Sequence, residues 1–321
     1  MRIVIAMAAL LVPAALLAQV PADTAYADSL LVPGGVLRGT LETPTGPGPW
    51  PVVLFLSGSG PTDRDGNSPL LAGKNNSLKY LAEALAARGI ASARYDKRGI
   101  AASNGFVLRE ADLRFDDYVN DAAAWIRALK ADRRFTSVTV AGHSEGSLVG
   151  MLAAASAGAD GYVSIAGAGR PIAEVLHEQL AHQLSPETLL AADTVMARLG
   201  RGEHDDSFPP ALWMLFRSSV QGYLISWMKH DPAHDVAALT IPVLIAQGTT
   251  DIQVDTTDAQ RLAQADPAAR LLLIPGMNHV LKMVPADPAK QAASYSDPSL
   301  PVAPALVDAI VTLVSGLGRT P

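Results

Sequence analysis

Four short strand-forming runs, separated by helix-forming stretches, constrain this chain more than any other feature. They are Val52–Leu56, Ile90–Tyr95, Ser137–Ala141 and Tyr162–Ala166. Val52-Val53-Leu54-Phe55-Leu56 has no polar position, so a strand there must be buried on both faces. The segment Ser77–Arg88 places Leu78, Leu81 and Leu85 on one face and stops at Gly89. Asp112–Lys130 carries Tyr118, Ala122, Trp125, Ile126 and Leu129 at helical spacing. Strands alternating with helices join by right-handed crossovers into a parallel sheet, and ligands on such sheets bind at the carboxyl ends of the strands. The pattern predicts an α/β chain with a mostly parallel central sheet and helices on both faces.

The alternation has readable limits. Ser29–Val32 and Val36–Glu42, around Pro33-Gly34-Gly35, predict an antiparallel hairpin before it. Pro171–Leu239 has helical patterns and no convincing strand, and reads as a helical cap inserted over the site. Ile241–Gly248, a helix from about Thr257 to Ala265, Arg270–Ile274 and a last helix Ala303–Leu317 then restore the rhythm, the last two joined by a long proline-rich loop. The expected organisation is a core of residues 28–170 plus 240–321 with a cap of residues 171–239. Residues 1–27 are expected to be an export signal: Met1-Arg2 is a positive start, Ile3–Ala18 is apolar but broken by Pro13, and cleavage is possible after 18 or after 27. That implies an exported chain, periplasmic or extracellular, with no stable membrane anchor after cleavage.

Of 321 residues 49% are hydrophobic, enough for a large core. Net charge is −6 with no basic run, which argues against a nucleic-acid partner. There is no cysteine, so disulfides, thiolate metal sites and a cysteine nucleophile are excluded. Oligomeric state is left open.

The third run leads into Gly142-His143-Ser144-Glu145-Gly146, and a small, helix-prone stretch follows. Strand, sharp turn, helix is the setting that G-x-S-x-G requires. A serine raised on such a turn is strained, and a Cβ two residues to either side would strike the adjoining strand or helix; Gly142 and Gly146 have none. The serine then stands at a helix N-terminus, where free N–H groups favour a developing oxyanion.

The first run ends in Ser57-Gly58-Ser59-Gly60-Pro61-Thr62-Asp63-Arg64-Asp65-Gly66-Asn67. As a phosphate loop it fails, because Ser68 stands where the first glycine belongs and Asn75 follows Gly73-Lys74. As a dinucleotide loop it lacks the third glycine, and as a calcium loop it has Lys74 at the closing glutamate's position. No metal and no cofactor is expected. What remains is a turn with accessible backbone N–H groups.

Asp251 and His279 each follow a later strand, so serine, acid and histidine occur in the order Ser144, Asp251, His279. Competing residues have simpler readings. Asp255 and Asp258 fall at a helix start, where an acid is a usual cap. His143 lies inside the turn and reads as structural. His230 and His234 have zinc-ligand spacing, but Asp231-Pro232 between them is a helix start. Ser226-Trp227-Met228-Lys229 matches S-x-x-K without the accompanying motifs.

Together "SGSGPTDRDGN", "RYDKRG", "GHSEG", "QGTTDIQV" and "GMNHVLK" resemble the α/β-hydrolases, in particular bacterial carboxylesterases with a G-S-G-P-x-D-R-D loop near the serine-aminopeptidase and lysophospholipase-like branch. Ser57 stands where many members have histidine. The resemblance implies Ser144 as nucleophile, His279 as general base and then acid, and Asp251 as the carboxylate that orients it. It implies the backbone N–H groups of Ser59 and Glu145 as the oxyanion hole. Phe208, Trp213, Phe216, Tyr223 and Trp227 in the cap are candidates to face a substrate. The expected function is hydrolysis of a small or medium lipophilic ester through an acyl-enzyme. A peptidase or amidase of aminopeptidase type, or a thioesterase, is the alternative, and a non-catalytic binding protein is disfavoured by the intact Ser144, Asp251, His279 set. An aminopeptidase would need acids in the cap for a substrate ammonium; Glu174, Glu178, Glu187, Glu203, Asp205 and Asp206 are available.

Overall fold

A computed structural model describes residues 25–106 and 109–317. In chain order the strands are β1 Ala25–Val32, β2 Gly35–Glu42, β3 Trp50–Leu56, β4 Ala91–Tyr95, β5 Phe135–His143, β6 Gly161–Ile165, β7 Val243–Gly248 and β8 Arg270–Ile274. They form one sheet in the order β1-β2-β4-β3-β5-β6-β7-β8. The hairpin strand β2 runs antiparallel to both β1 and β4, and every later pairing is parallel. β3, β4, β5 and β6 follow the four runs; β3 is apolar throughout and covered on both faces, whereas β4 buries Ser92 and Arg94, the latter paired with Glu42 and Asp65. Most of the expected signal segment lies outside the described residues; Ala25–Ala27 open β1.

Helices α1 Ser77–Ala86, α2 Phe115–Ala131 and α3 Glu145–Ala157 are the crossovers of the first half. The insertion holds α4 Ile172–Ala181, α5 Pro186–Gly200, α6 Trp213–Phe216, α7 Ser218–Trp227 and α8 Pro232–Ala237, with no strand. α9 Thr256–Ala265, α10 Pro288–Ser294 and α11 Pro304–Leu317 complete the chain. One face of the sheet is covered by α2, α3 and α9, through residues such as Trp125, Ile126, Met151 and Leu262. The other is covered by α1 and α11, through Leu78, Leu81, Leu306 and Ile310. Burying such side chains at about 1.5–3 kcal/mol each is what holds the layers together.

The insertion has an apolar core of its own, built from Val195, Met196, Leu199, Leu212, Phe216 and Leu224. α8 is different. Its Val236 is fully buried in the main core, so this helix packs with the sheet layer and not with the cap's own core. α10 was not expected; Asp287 caps it through the Lys290 N–H at 2.9 Å inside what reads as a proline-rich loop. No helix among the described residues is long and apolar enough to cross a membrane.

Candidate active site

Ser144 sits between the end of β5 and the start of α3, with φ 56° and ψ −122°. A non-glycine residue holds such a conformation only where its surroundings enforce it. The enforcement is backbone against backbone. A Cβ on Gly142 would stand 2.0 Å from the Gly146 carbonyl oxygen, and one on Gly146 would stand 2.6 Å from the carbonyl oxygens of Leu56 and Ser57. The Ser144 N–H donates to the Ile165 carbonyl at 2.9 Å, tying the turn to β6.

His279 follows β8, and its Nδ1 lies 2.9 Å from Asp251 Oδ2. Asp251, after β7, is buried with a full set of donors. Its Oδ1 accepts the Gln253 and Val254 N–H groups at 2.8 and 3.1 Å, and Oδ2 also accepts Gln247 Nε2 at 3.0 Å. Burial raises the Asp251 carboxyl, but the charge and hydrogen bond of His279 and the two N–H bonds outweigh it. The acid is held below its ordinary value. Gln247 also donates to the Val254 carbonyl at 2.8 Å, so it fixes the turn as well as the carboxylate. Its role is invisible in sequence, because a glutamine inside an apolar strand has no motif.

His143 also has a place that sequence did not give it. It is buried, its ring centroid is 4.8 Å from that of His279, and its Nε2 lies 2.8 Å from the His279 carbonyl oxygen. A carbonyl only accepts, so Nε2 carries the hydrogen and donates it. Burial first, and the neighbouring His279 second, push the His143 imidazole down to about 3. In the unfolded chain the same imidazole takes its proton near its ordinary value of about 6.5. Between these values the unfolded state binds the extra proton, so this group removes stability as pH falls below about 6.5, at about 1.4 kcal/mol per unit. Urea unfolding at pH 7, 6 and 5 should show a shallower acid slope in His143→Asn than in the parent chain.

The loop after β3 lies against Ser144: a Cβ on Gly58 would be 3.2 Å from the Ser144 Cβ. Within the loop, Ser57 Oγ donates to the Thr62 carbonyl at 3.1 Å and Thr62 Oγ1 to the Ser59 carbonyl at 2.8 Å. Among the described residues, the N–H groups of Ser59 and Glu145 donate to no other protein group. The acidic residues of the loop are engaged by the protein. Asp63 accepts the Asp65 and Asn67 N–H groups at 2.9 and 2.8 Å, and Asp65 pairs with Arg94 at 2.8 Å. Asp96 holds Arg64 at 2.7 Å, and Arg98 holds Asp121 at 2.6 Å. Lys97, between these two, donates to the Gly58 carbonyl.

Ser144, Ser59 and Glu145 open onto a cleft of about 360 Å³ under the cap. Its walls are mostly apolar, with Leu148, Val175, Leu176 and Leu215 among them. Two of the cap aromatics, Tyr223 and Trp227, line it. The other three do not. Phe216 is fully buried in the cap's own core with Phe208 against it at 6.2 Å, because short helices need a large side chain to hold them together. Trp213 is 55% exposed, with the Arg217 guanidinium 5.6 Å from its ring. Arg170 and Arg217 reach the cleft, but the first is paired to Asp258 and Glu178 and the second to Glu110. Burial, then the negative charge of Glu145, hold the Tyr223 phenol well above its ordinary value and therefore protonated.

The alternatives considered for other residues fall away structurally. Asp255 caps α9 through the Thr257 N–H at 2.7 Å, and Asp258 is committed to Gly169 and Arg170. Asp231 caps α8 through the Ala233 N–H at 3.0 Å. Ser226 Oγ accepts the Phe115 N–H at 2.7 Å, which pins α7 to α2.

Residues 72–206, less than half of the chain, match the serine aminopeptidase S33 family. The chain is 29% identical over 255 residues to esterase EstD of Thermotoga maritima, over 76% of this chain and 58% of that protein. It therefore spans little more than half the length of that curated relative. Among solved structures, Est1E of Butyrivibrio proteoclasticus with bound ferulic acid superposes with a TM-score of 0.61 at 19% identity, over 90% of this chain and 99% of that one. XC6422 of Xanthomonas campestris, described as an α/β serine hydrolase without a lid, gives 0.51 at 18% identity, over 92% and 97%. At such identities the likeness is one of fold.

Proposed function

We propose that this chain, which has the fold of the α/β-hydrolases, is a serine hydrolase that cleaves carboxylic esters through an acyl-enzyme intermediate. The observation that carries the reading is the strained Ser144 at the head of α3, on the same sheet edge as a His279 held by a buried Asp251. In this reading Nε2 of His279, the ring nitrogen not held by Asp251, takes the proton of Ser144 Oγ as it attacks the ester carbonyl. The oxyanion that forms is met by the N–H groups of Ser59 and Glu145. His279 then protonates the leaving alcohol, and water, deprotonated by the same imidazole, releases the acid.

The cleft supports an uncharged, lipophilic ester. Both arginines that reach it already have carboxylate partners, and its walls are largely apolar. The aminopeptidase alternative meets an obstacle here. None of Glu174, Glu178, Glu187, Glu203, Asp205 and Asp206 lines the cleft, so a substrate ammonium finds no free carboxylate among them. The acid that does line it, Glu145, faces Lys97. We also propose that the protein is exported, a reading supported by the positive Met1-Arg2 start and the apolar stretch that follows it. Cleavage after Ala18 suits it better than cleavage after Ala27, since Ala25–Ala27 pair with Thr40–Glu42 in β1 and β2.

Matched p-nitrophenyl esters and p-nitroanilides of C2 to C8 acids test the reading, with a fluorophosphonate probe alongside. The expected result is ester turnover far above anilide turnover and labelling confined to Ser144. An unlabelled, inactive protein would remove the hydrolase reading altogether, and faster anilide cleavage would turn it to the peptidase.

A further inference from the structure

Lys97 is a buried cation that the reaction just described leaves without a part. It follows β4 and is 6% exposed. Its ammonium donates to the Gly58 carbonyl, lies 3.7 Å from the Glu145 carboxylate and sits 5.4 Å from the centre of the Tyr118 ring. The choice of partners is informative. The Gly58 carbonyl belongs to the peptide unit whose N–H is that of Ser59. Glu145 is the residue whose own N–H opens α3. These are the two N–H groups assigned above to the oxyanion.

We infer that Lys97 is the positioning residue of the oxyanion hole, a single buried ammonium that fixes both donors by holding the Gly58 carbonyl and the Glu145 side chain. The inference rests on the hydrolase reading and extends it.

The geometry of the peptide unit does most of the work. In a planar trans peptide the N–H points opposite to the C=O. A Gly58 carbonyl held toward Lys97 therefore turns the Ser59 N–H away from Lys97, and Ser59 lines the cleft on which Ser144 opens. The hydrogen bond is charge-assisted, so it also draws electron density from that peptide and makes its N–H a stronger donor. The loop cannot supply this order alone. Gly58 and Gly60 leave its backbone free to rotate, and the hydrogen bonds within residues 57–62 hold Ser57, Thr62 and the Ser59 carbonyl, not the Gly58 peptide. On the other side, the ion pair holds the side chain of the first residue of α3 toward Lys97. Glu145 Oε1 is buried and has no hydrogen bond among the described residues, so the ammonium is the charge that compensates it. Oxyanion donors accelerate a reaction only when they are set before charge develops. Removing Lys97 should therefore be felt in the transition state and much less in substrate binding.

Three variants test this: Lys97→Met, Glu145→Gln, and the two combined. The readouts are kcat and KM on an aryl ester, melting temperature, and inhibition by an alkyl trifluoromethyl ketone, which adds to the serine as an anionic tetrahedral species. Lys97→Met should lower kcat by about 10²-fold with KM within about threefold, and weaken the ketone by a similar factor. Glu145→Gln keeps the bond to Gly58 and should lose less than about tenfold in both. The double variant leaves no unpaired buried charge, so it remains informative if Lys97→Met does not fold. It should show the same loss of ketone affinity as expected for Lys97→Met. Wild-type ketone affinity in the double variant would overturn the inference. So would a Lys97→Met protein that loses kcat and melting temperature while binding the ketone normally, or a Glu145→Gln as damaging as Lys97→Met. A parent protein that turns over no ester and binds no ketone would refute the hydrolase reading itself, a separate result that takes the inference with it.

Discussion

Ser144→Ala is expected to lower ester kcat by about 10⁶-fold while leaving the fold intact. The size follows from what is lost. Without Oγ there is no acyl-enzyme, and what remains is the oxyanion hole acting on attack by water. The fold should survive because Ser144 contributes to stability through its backbone, by the N–H bond to Ile165 and the close approach of Gly146 to β3. Alanine keeps that backbone. Circular dichroism and a melting temperature within a few degrees of the parent, together with loss of fluorophosphonate labelling, would complete the result. Turnover within tenfold of the parent would remove Ser144 from the mechanism.

The second large effect is expected at Asp251. Asp251→Asn should reduce kcat by about 10⁴-fold, chiefly through the tautomer of His279. The carboxylate accepts from Nδ1, which leaves Nε2 free to take the serine proton. A carboxamide can present N–H to Nδ1 instead, and the imidazole hydrogen then moves to Nε2, where it obstructs the transfer. The Gln253 and Val254 N–H groups favour the amide oxygen at the Oδ1 position, which leaves the amide nitrogen at the position that faces His279 and Gln247. Nitrogen chemical shifts of the His279 ring would distinguish the tautomers directly. A loss below about tenfold would mean that Asp251 does little for the base.

Much of this arrangement was legible in the residues. β3 could be placed because it is buried on both faces and reads as an uninterrupted apolar run, and the other core strands because short β-branched or apolar stretches alternate with helical patterns. That Ser144, Asp251 and His279 each follow a strand was readable from the stretch before each of them. The supporting groups were not legible. Lys97 meets Glu145 only once β4 and β5 are in register on either side of β3, and nothing in "RYDKRG" distinguishes Lys97 from its ion-paired neighbours Asp96 and Arg98. His143 supports a histidine far along the chain through that residue's carbonyl, a contact with no sequence signature. The cap was the least readable part. α6 has four residues, too few for a periodic face, so whether Trp213 or Phe216 turns inward depends on neighbours brought in by α5 and α7. α8 reads as the end of the insertion by composition, yet belongs with the sheet layer by packing.

The contact of Gly146 with β3 also bears on how such a chain can change over time. Ser144 owes its height above the sheet to main chain resting on main chain, with no side chain between. The apolar residues of α3 that face the core, such as Val149 and Met151, fill space but do not set that height. Drift in the core can therefore exchange one hydrophobic residue for another of similar volume at about 1.5 kcal/mol or less without moving the serine. Two positions that carry no side chain at all are where the lineage has no latitude. The chemistry is insulated from the slow turnover of the residues that keep the molecule folded.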